Sequence, residues 1–379
     1  MDLTHTPADE EFRAEARAWL AAHVPRRPLP SLETAEGFAA HREWEAELAA
    51  DRWSVVSWPE RYGGRDAGLV RWLVFEEEYY AAGAPGRVGQ NGVSLLAPTL
   101  FDHGTEEQRA RVLPSMATAE VVWAQAWSEP EAGSDLAALR SRAVRTAGGW
   151  LLTGQKTWSS RAAFADRAFG LFRSEPDAPR PHQGLTYLMF DLRAPGVTVR
   201  PIGRLDGKPA FAELFLDQVF VPDEDVIGEP GQGWRIAMST AGNERGLTLR
   251  SPGRFLAGAD RLLSLWQERG APESAAAGVA DAVVRARAYQ LFTYAAAARF
   301  LDGEALGPES SLNKVFWSEL DLSLHETALD LLGPEGAPAD SPWSEGYVFA
   351  LAGPIYAGTN EIQRDIIAER LLGLPKGRR

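Results

Sequence analysis

A mixed fold, in which helical segments flank a small antiparallel β-domain, is predicted by two changes of apolar period and by the length of the chain. Apolar residues recur at helical spacing up to about residue 119, at a spacing of two between about 120 and 230, and at helical spacing again from 231 onward. With roughly 100–200 residues per domain, a chain of 379 residues suits two or three domains with ample core. The expected division is a helical domain over 1–119, a β-domain over 120–230 and a second helical domain over 231–379.

The first helix rests on Phe12, Ala16, Trp19 and Leu20, which form one apolar stripe. The turn-rich string Trp58-Pro59-Glu60-Arg61-Tyr62-Gly63-Gly64 breaks the pattern before a helix carrying Leu73, Phe75 and Tyr79. Thr105 has the character of an N-cap, with Gln108 three residues on as its capping-box partner. In the β-domain, Val144, Trp150, Leu152, Leu171, Tyr187, Met189, Val197, Val199, Leu214 and Leu216 lie in short runs separated by turn residues. Gly148-Gly149 reads as a two-residue hairpin turn. No long helices alternate with these strands, so a barrel or sandwich is expected. Helical period resumes after Gly231-Gln232-Gly233, and Pro252-Gly253 should kink or interrupt the first long helix. Further helices are expected over 275–302 and 310–332, the latter ended by Gly333-Pro334. Asn360 is the expected cap of the last helix, with Gln363 at its third position.

Composition narrows the function. Hydrophobic residues make up 45% and charged residues 24%, the profile of an ordinary globular enzyme. A net charge of −13 argues against nucleic-acid binding, which needs clustered Lys and Arg. Cysteine is absent, which excludes disulfides, thiolate metal sites and cysteine nucleophiles and suits a reducing cytoplasm. No signal peptide is visible, and no apolar run reaches the roughly 20 residues of a membrane span. Six histidines without an HExxH pattern give a metal site little support. No GxGxxG fingerprint occurs, so a dinucleotide would not be held in the Rossmann manner.

Three strings carry the chemistry. Trp123-Ala124-Gln125-Ala126-Trp127-Ser128-Glu129-Pro130-Glu131-Ala132-Gly133-Ser134-Asp135 ends a strand in a small-residue turn whose amides could face an anion. Gly154-Gln155-Lys156-Thr157-Trp158-Ser159-Ser160 and Ala357-Gly358-Thr359-Asn360-Glu361-Ile362-Gln363-Arg364 follow it. In this order and spacing they resemble the acyl-CoA dehydrogenase family of flavoenzymes, over nearly the whole chain. The resemblance implies a C-terminal domain like a four-helix bundle, and FAD held between the β-domain and the C-terminal helices. Gln125, Trp127, Ser128, Gly133 and Ser134 fall where family members line the flavin and its pyrophosphate, Ser134 also touching substrate. Trp158 and Ser160 match positions that cover one flavin face and hydrogen-bond its ring. Thr359, Asn360 and Glu361 match the segment that contacts the cofactor from the other side, and Gly333 a stretch near the adenine. The bland alternative for Trp158 is packing in a strand core, and Gly333 could equally serve only as a helix C-cap.

Acyl-CoA dehydrogenation needs a carboxylate to take the α-proton, and many family members place it directly before the C-terminal Gly-Thr. Ala357 occupies that position and cannot act as a base. A second group carries the base on the long helix after the β-domain, directly before an arginine, where this chain has Gly242-Asn243-Glu244-Arg245-Gly246. The resemblance therefore implies Glu244 as base and Arg245 as a residue that positions substrate. It also implies that the backbone N–H at 357 helps to polarise the thioester carbonyl, which alanine leaves possible. On residue type alone, Glu-Arg on a helix is an ordinary solvated pair.

A second departure is the missing Arg-x-x-Phe-Gly segment, by which homotetrameric members reach a neighbouring subunit's FAD; 266–273 read WQERGAPE instead. Bacterial relatives acting on bulky CoA esters, steroid side chains included, lack it too, and some are heterotetramers. A dimer or tetramer, homo- or hetero-oligomeric, is expected. The implied partners are an acyl-CoA or acyl-carrier-protein substrate and an electron-transfer flavoprotein as acceptor. Two alternatives stay open: a same-fold flavin monooxygenase or oxidase of a biosynthetic pathway, and a non-catalytic subunit of a heteromeric dehydrogenase.

Overall fold

The computed structural model describes residues 5–245, 251–304, 307–338 and 341–376, without the side chains of 243–245. The first segments are helical: α1 (Pro7–His23), α2 (Ala35–Ala50), α3 (Gly68–Ala81), α4 (Ala97–His103) and α5 (Glu106–Ala117). Eight strands follow: β1 (Trp123–Ala126), β2 (Arg142–Thr146), β3 (Gly149–Ser160), β4 (Arg167–Arg173), β5 (Leu185–Asp191), β6 (Val197–Ile202), β7 (Phe211–Pro222) and β8 (Val226–Ile227). Then come α6 (Gly233–Arg245), α7 (Pro252–Glu268), α8 (Glu273–Leu301), α9 (Ser310–Leu332), α10 (Pro342–Ala350) and α11 (Asn360–Ile366). Contacts divide the chain into two compact units. One holds Arg27–Asp66 and Pro85–Glu244; the other holds Met1–Arg26, Ala67–Ala84 and Arg245–Arg379.

In the first unit the sheet runs β6-β7-β3-β2-β4-β5-β8, with β1 paired to β4. It is open, with β6 and β8 at its edges, so the expected barrel closure is not formed among the described residues. Most pairs are antiparallel, as expected, but β1 lies parallel to β4, Trp123 opposite Arg167. A hairpin would force antiparallel pairing, whereas β1 and β4 are joined by a crossover that contains β2 and β3. Alternate strand residues Trp150, Leu152, Leu214 and Leu216 meet Phe172, Phe190, Ala124 and Ala126 in one buried cluster. Thr105 caps α5 with the expected reciprocal bonds to Gln108. The Gln108 amide, buried, also donates to the Glu224 and Val226 carbonyls at 2.9 and 2.6 Å, fastening α5 to the sheet's end.

The two glycines of the β2–β3 hairpin divide the labour differently from the expectation. Gly148 alone takes a positive φ, 74°, in a loop of residues 147 and 148. Gly149 is already in β3, and a Cβ there would stand 2.2 Å from the Val221 carbonyl oxygen. Its hydrogen is needed for close strand approach, not for the turn. Gly149→Ala should therefore destabilise the protein by about 1–3 kcal/mol. The check is a lower denaturant midpoint at unchanged m-value.

In the second unit Pro252 sits at the first position of α7, with Ser251 as its cap, so of the two expected outcomes it interrupts the helical run and starts a new helix rather than kinking one. Phe255, Leu262, Ala286, Tyr289, Trp317 and Leu324 give α7, α8 and α9 a common core. Helix α3, from the N-terminal region, packs chiefly on α7 and also on α8. Gly253 allows the approach, since a Cβ there would meet the Glu76 carbonyl oxygen at 2.7 Å. Helix α6 instead groups with the sheet. On α1, Arg13 and Arg17 reach Glu78 of α3 at 3.0 and 2.8 Å, which ties α1 to the same unit.

Candidate active site

Strand β1 delivers the chain into a turn closed by two reciprocal 3.0 Å backbone bonds between Glu129 and Ala132. Beyond it Gly133, Ser134 and Asp135 are exposed, and their amides donate to no acceptor among the described residues. Underneath, the Glu129 carboxylate is buried and accepts from the amides of Arg140 (2.6 Å) and Ser141 (2.9 Å) and from Lys156 Nζ (2.9 Å). Lys156 is wholly buried and spends its other donors on the carbonyls of Leu171 (2.8 Å) and Trp127 (3.3 Å). Burial pushes the Lys156 amine down to about 8, against the pull of Glu129. Burial alone would raise the Glu129 carboxyl, but Lys156 and the two amides outweigh it and hold it below its ordinary value.

This ion pair locks the first two motif strings together, and the Thr157 amide adds a 2.8 Å bond to the Ser128 carbonyl. The β3–β7 register shifts between Lys156 and Ser159, which makes Trp158 the residue of a bulge. Its φ is 58°, an outlier for so large a side chain, and it is 60% exposed, touching Phe211 edge-on at 5.9 Å. A strand-core role for Trp158 is thereby excluded. Ser160 is half-buried opposite Phe211. Trp127 is half-buried too, its Nε1 hidden and without an acceptor, while Gln125 lies in β1 opposite Phe169.

Helix α6 is moored in this unit through Thr240, whose hydroxyl meets Thr99 Oγ1 at 2.6 Å and Tyr187 OH at 3.3 Å. The backbone of Glu244 and Arg245 forms its last turn. Their side chains lie outside the described residues, as do 246–250.

The third string lies in the other unit. Asn360 is not the cap of α11; Thr359 is, its hydroxyl accepting from the Ile362 amide at 3.3 Å. The buried Asn360 carboxamide is engaged elsewhere, accepting from Lys314 Nζ at 2.8 Å and Ser318 Oγ at 3.1 Å. Gln363 does not complete a capping box either. Its amide reaches back to the Ala357 and Gly358 carbonyls at 2.9 and 3.4 Å. Glu361 is exposed, and its own backbone amide and Thr359 hold its carboxyl below the usual range. Gly333 is the C-cap of α9, with a positive φ of 55°. It lies fifteen residues, roughly 22 Å of helix, beyond Ser318 and so far from Asn360.

Gln125 to Ser134, Trp158 and Ser160 thus converge on the sheet unit, and Thr359 to Glu361 on the α9–α11 junction, with Gly333 separate. Reasoning from sequence gave Glu129 and Lys156 no role and read Gln363 only as a capping partner. A lysine at an inward position of the second string, which needs an acidic partner such as Glu129 of the first, was the available signal.

Unpaired amides at 133–135 and an exposed indole at 158, both on the sheet unit, are features that suit a flat, anionic ligand outside any Rossmann fold. The chain belongs to the acyl-CoA dehydrogenase family, whose N-terminal, middle and C-terminal domain models match residues 6–120, 124–219 and 231–372. It is 37% identical over 394 residues to acyl-CoA dehydrogenase IpdE1 of Mycolicibacterium smegmatis, covering 97% of this chain and 98% of that one. IpdE1 of Mycobacterium tuberculosis is likewise 37% identical, over 384 residues with the same coverage. Among solved structures, the Tcur3481-Tcur3483 steroid acyl-CoA dehydrogenase superposes with a TM-score of 0.86 at 26% identity, covering all of both chains. The ChsE4-ChsE5 complex from Mycobacterium tuberculosis gives 0.86 at 28% identity, also covering both chains in full.

The residues present fit a flavin dinucleotide. Free amides at 133–135 suit pyrophosphate oxygens, the orphaned Trp127 Nε1 is a donor awaiting an acceptor, and the exposed Trp158 offers an aromatic face. No group of acidic, histidine or cysteine residues able to hold a metal occurs among the described residues, and no described helix is long and apolar enough to cross a membrane.

Proposed function

We propose that this chain is an FAD-dependent acyl-CoA dehydrogenase that introduces an α,β double bond into a bulky acyl thioester. The observation that carries the reading is the full-length match to dehydrogenases of this family. Its functional domains are 1–119, 120–230 and 231–379. Bound FAD supplies the acceptor for the hydride that leaves the β-carbon. Gln125, Trp127, Ser128, Gly133, Ser134, Trp158 and Ser160 hold the flavin from the sheet, and Thr359, Asn360 and Glu361 from the C-terminal helices. Asn360 acts through its backbone, because its side-chain oxygen is already committed to Lys314 and Ser318. Gly333 serves the adenine half. Glu244 takes the α-proton, Arg245 positions substrate or neighbouring acids, and the electron pair of the broken C–H bond forms the new double bond.

The bulky substrate is supported by the steroid dehydrogenase among the similar structures. CoA is the carrier in this reading, an electron-transfer flavoprotein the acceptor and the cytoplasm the compartment. The test is anaerobic titration of purified protein with a panel of acyl-CoAs, steroid side-chain esters included, following flavin absorbance. Bleaching by a bulky ester is expected. A reduced flavin consumed quickly by oxygen would favour a monooxygenase, and a chain that never holds FAD, even with its partner, would favour a structural subunit.

The quaternary reading is at least a dimer, with an unlike partner, since both similar assemblies carry paired names. Sedimentation of the chain expressed alone should show incomplete assembly or incomplete flavination. A fully flavinated homotetramer would remove the need for that partner.

A further inference from the structure

We propose that Gln363 is a positioning residue for the reaction, holding the turn at Ala357 and Gly358 so that its free amides face the acyl thioester. The inference rests on the dehydrogenase reading and adds to it a residue which that reading does not use. Gln363 is completely buried in α11, and its Nε2 donates to the carbonyl oxygens of Ala357 and Gly358 at 2.9 and 3.4 Å. A trans peptide sets its C=O and N–H on opposite sides, and no cis bond occurs here. Drawing the Ala357 carbonyl toward α11 therefore turns the Gly358 amide away from it. The amides of Ala357, Gly358 and Thr359 donate to no acceptor among the described residues.

The turn needs such a tether. Ala357 has φ 58° and Gly358 φ 79°, two consecutive left-handed residues of which only the second lacks a side chain. An alanine relaxes from that region unless its surroundings fix it. Thr359 secures the turn on the helix side through the Ile362 amide, and Asn360 through the bond from its own amide to the Pro354 carbonyl at 2.8 Å. Among the described residues only the Gln363 side chain grips the two carbonyls themselves. A second observation points outward. Gln363 Oε1 is buried with no hydrogen-bond partner, an acceptor left for a donor on a bound group. Gln363 thus connects the strained turn, its free amides and an unfilled acceptor.

The test uses the holoenzyme with Gln363→Met, which keeps length and loses the donor, and Gln363→Leu as a second variant. First, an acyl-CoA that bleaches the wild-type flavin is chosen. Its enoyl-CoA product, labelled with ¹³C at the thioester carbonyl, is then bound, and the carbonyl stretch is read by isotope-edited infrared difference spectroscopy. The wild type should shift that stretch to lower frequency, and the variants should lose most of the shift. FAD content and melting temperature should stay near wild type, while kcat falls about 10²-fold, the usual effect of a small misplacement at the reacting centre, with KM little changed. An unchanged carbonyl frequency in a folded, flavinated variant overturns the proposal and leaves the dehydrogenase reading standing. Failure of both variants to fold or to keep FAD assigns Gln363 to the fold alone and also overturns it. If no acyl-CoA reduces the wild-type flavin, the dehydrogenase reading falls, and this inference with it.

Discussion

Glu244→Gln will leave fold and FAD content unchanged and lower turnover by about 10²–10⁴-fold, the usual share of a positioned acid–base group. The amide is nearly isosteric with the carboxylate but cannot accept the α-proton. The placement of Glu244 agrees with Ala357, which leaves the C-terminal position without a carboxylate. It agrees also with α6, whose last turn carries Glu244 on a helix moored by Thr240. Single-turnover flavin reduction in a stopped-flow instrument is the measurement. Near-full reduction by the variant would remove Glu244 as the base. Ala357→Asp in the Glu244→Gln background tests the converse, since a carboxylate returned to the other position should restore part of the rate.

Much of this layout was legible because it depends on local chemistry. The bounds of α9 and the capping box at Thr105 follow from side chains within a few residues of one another. What escaped depends on distant partners. The choice between Thr359 and Asn360 as cap was decided by Lys314 and Ser318, more than forty residues away, which claim the asparagine oxygen. Gly149 looked like a turn residue because the need for it arises from Val221 on another strand. The helix that packs on α7 and α8 from outside the C-terminal region comes from residues 68–81, which periodicity assigns to a separate N-terminal domain. For the candidate site the motif strings pointed to the end of β1, the second half of β3 and the start of α11. They did not show that Trp158 would be forced outward by a bulge, because a one-residue slip in register leaves no mark on composition.

Glu129→Ala will destabilise the protein at neutral pH by about 3–5 kcal/mol, the cost of removing one partner of a buried ion pair. The carboxylate serves three donors at once, so the change strands the amides of Arg140 and Ser141 as well as Lys156 Nζ. Lys156, wholly buried, would then keep only the two carbonyls of Leu171 and Trp127. Its pKa is about 8 with Glu129 present, and with that attraction gone burial acts unopposed and lowers it further. The pH dependence has a definite sign. Below about 8 the native wild type holds the Lys156 proton while the native variant has released it, and both unfolded chains remain protonated. The variant's unfolded state then binds the extra proton, so its stability rises with pH relative to wild type. The deficit should narrow toward pH 8 and level off above it, where both native states are neutral at Lys156. Glu129→Ala combined with Lys156→Met leaves no buried charge and should recover part of the loss. Urea unfolding from pH 6 to 9 reads all of this, and a deficit independent of pH would show that Lys156 is not the group left stranded. Because the same pair fixes Ser128 against Thr157, FAD affinity should fall in Glu129→Ala even where the chain remains folded.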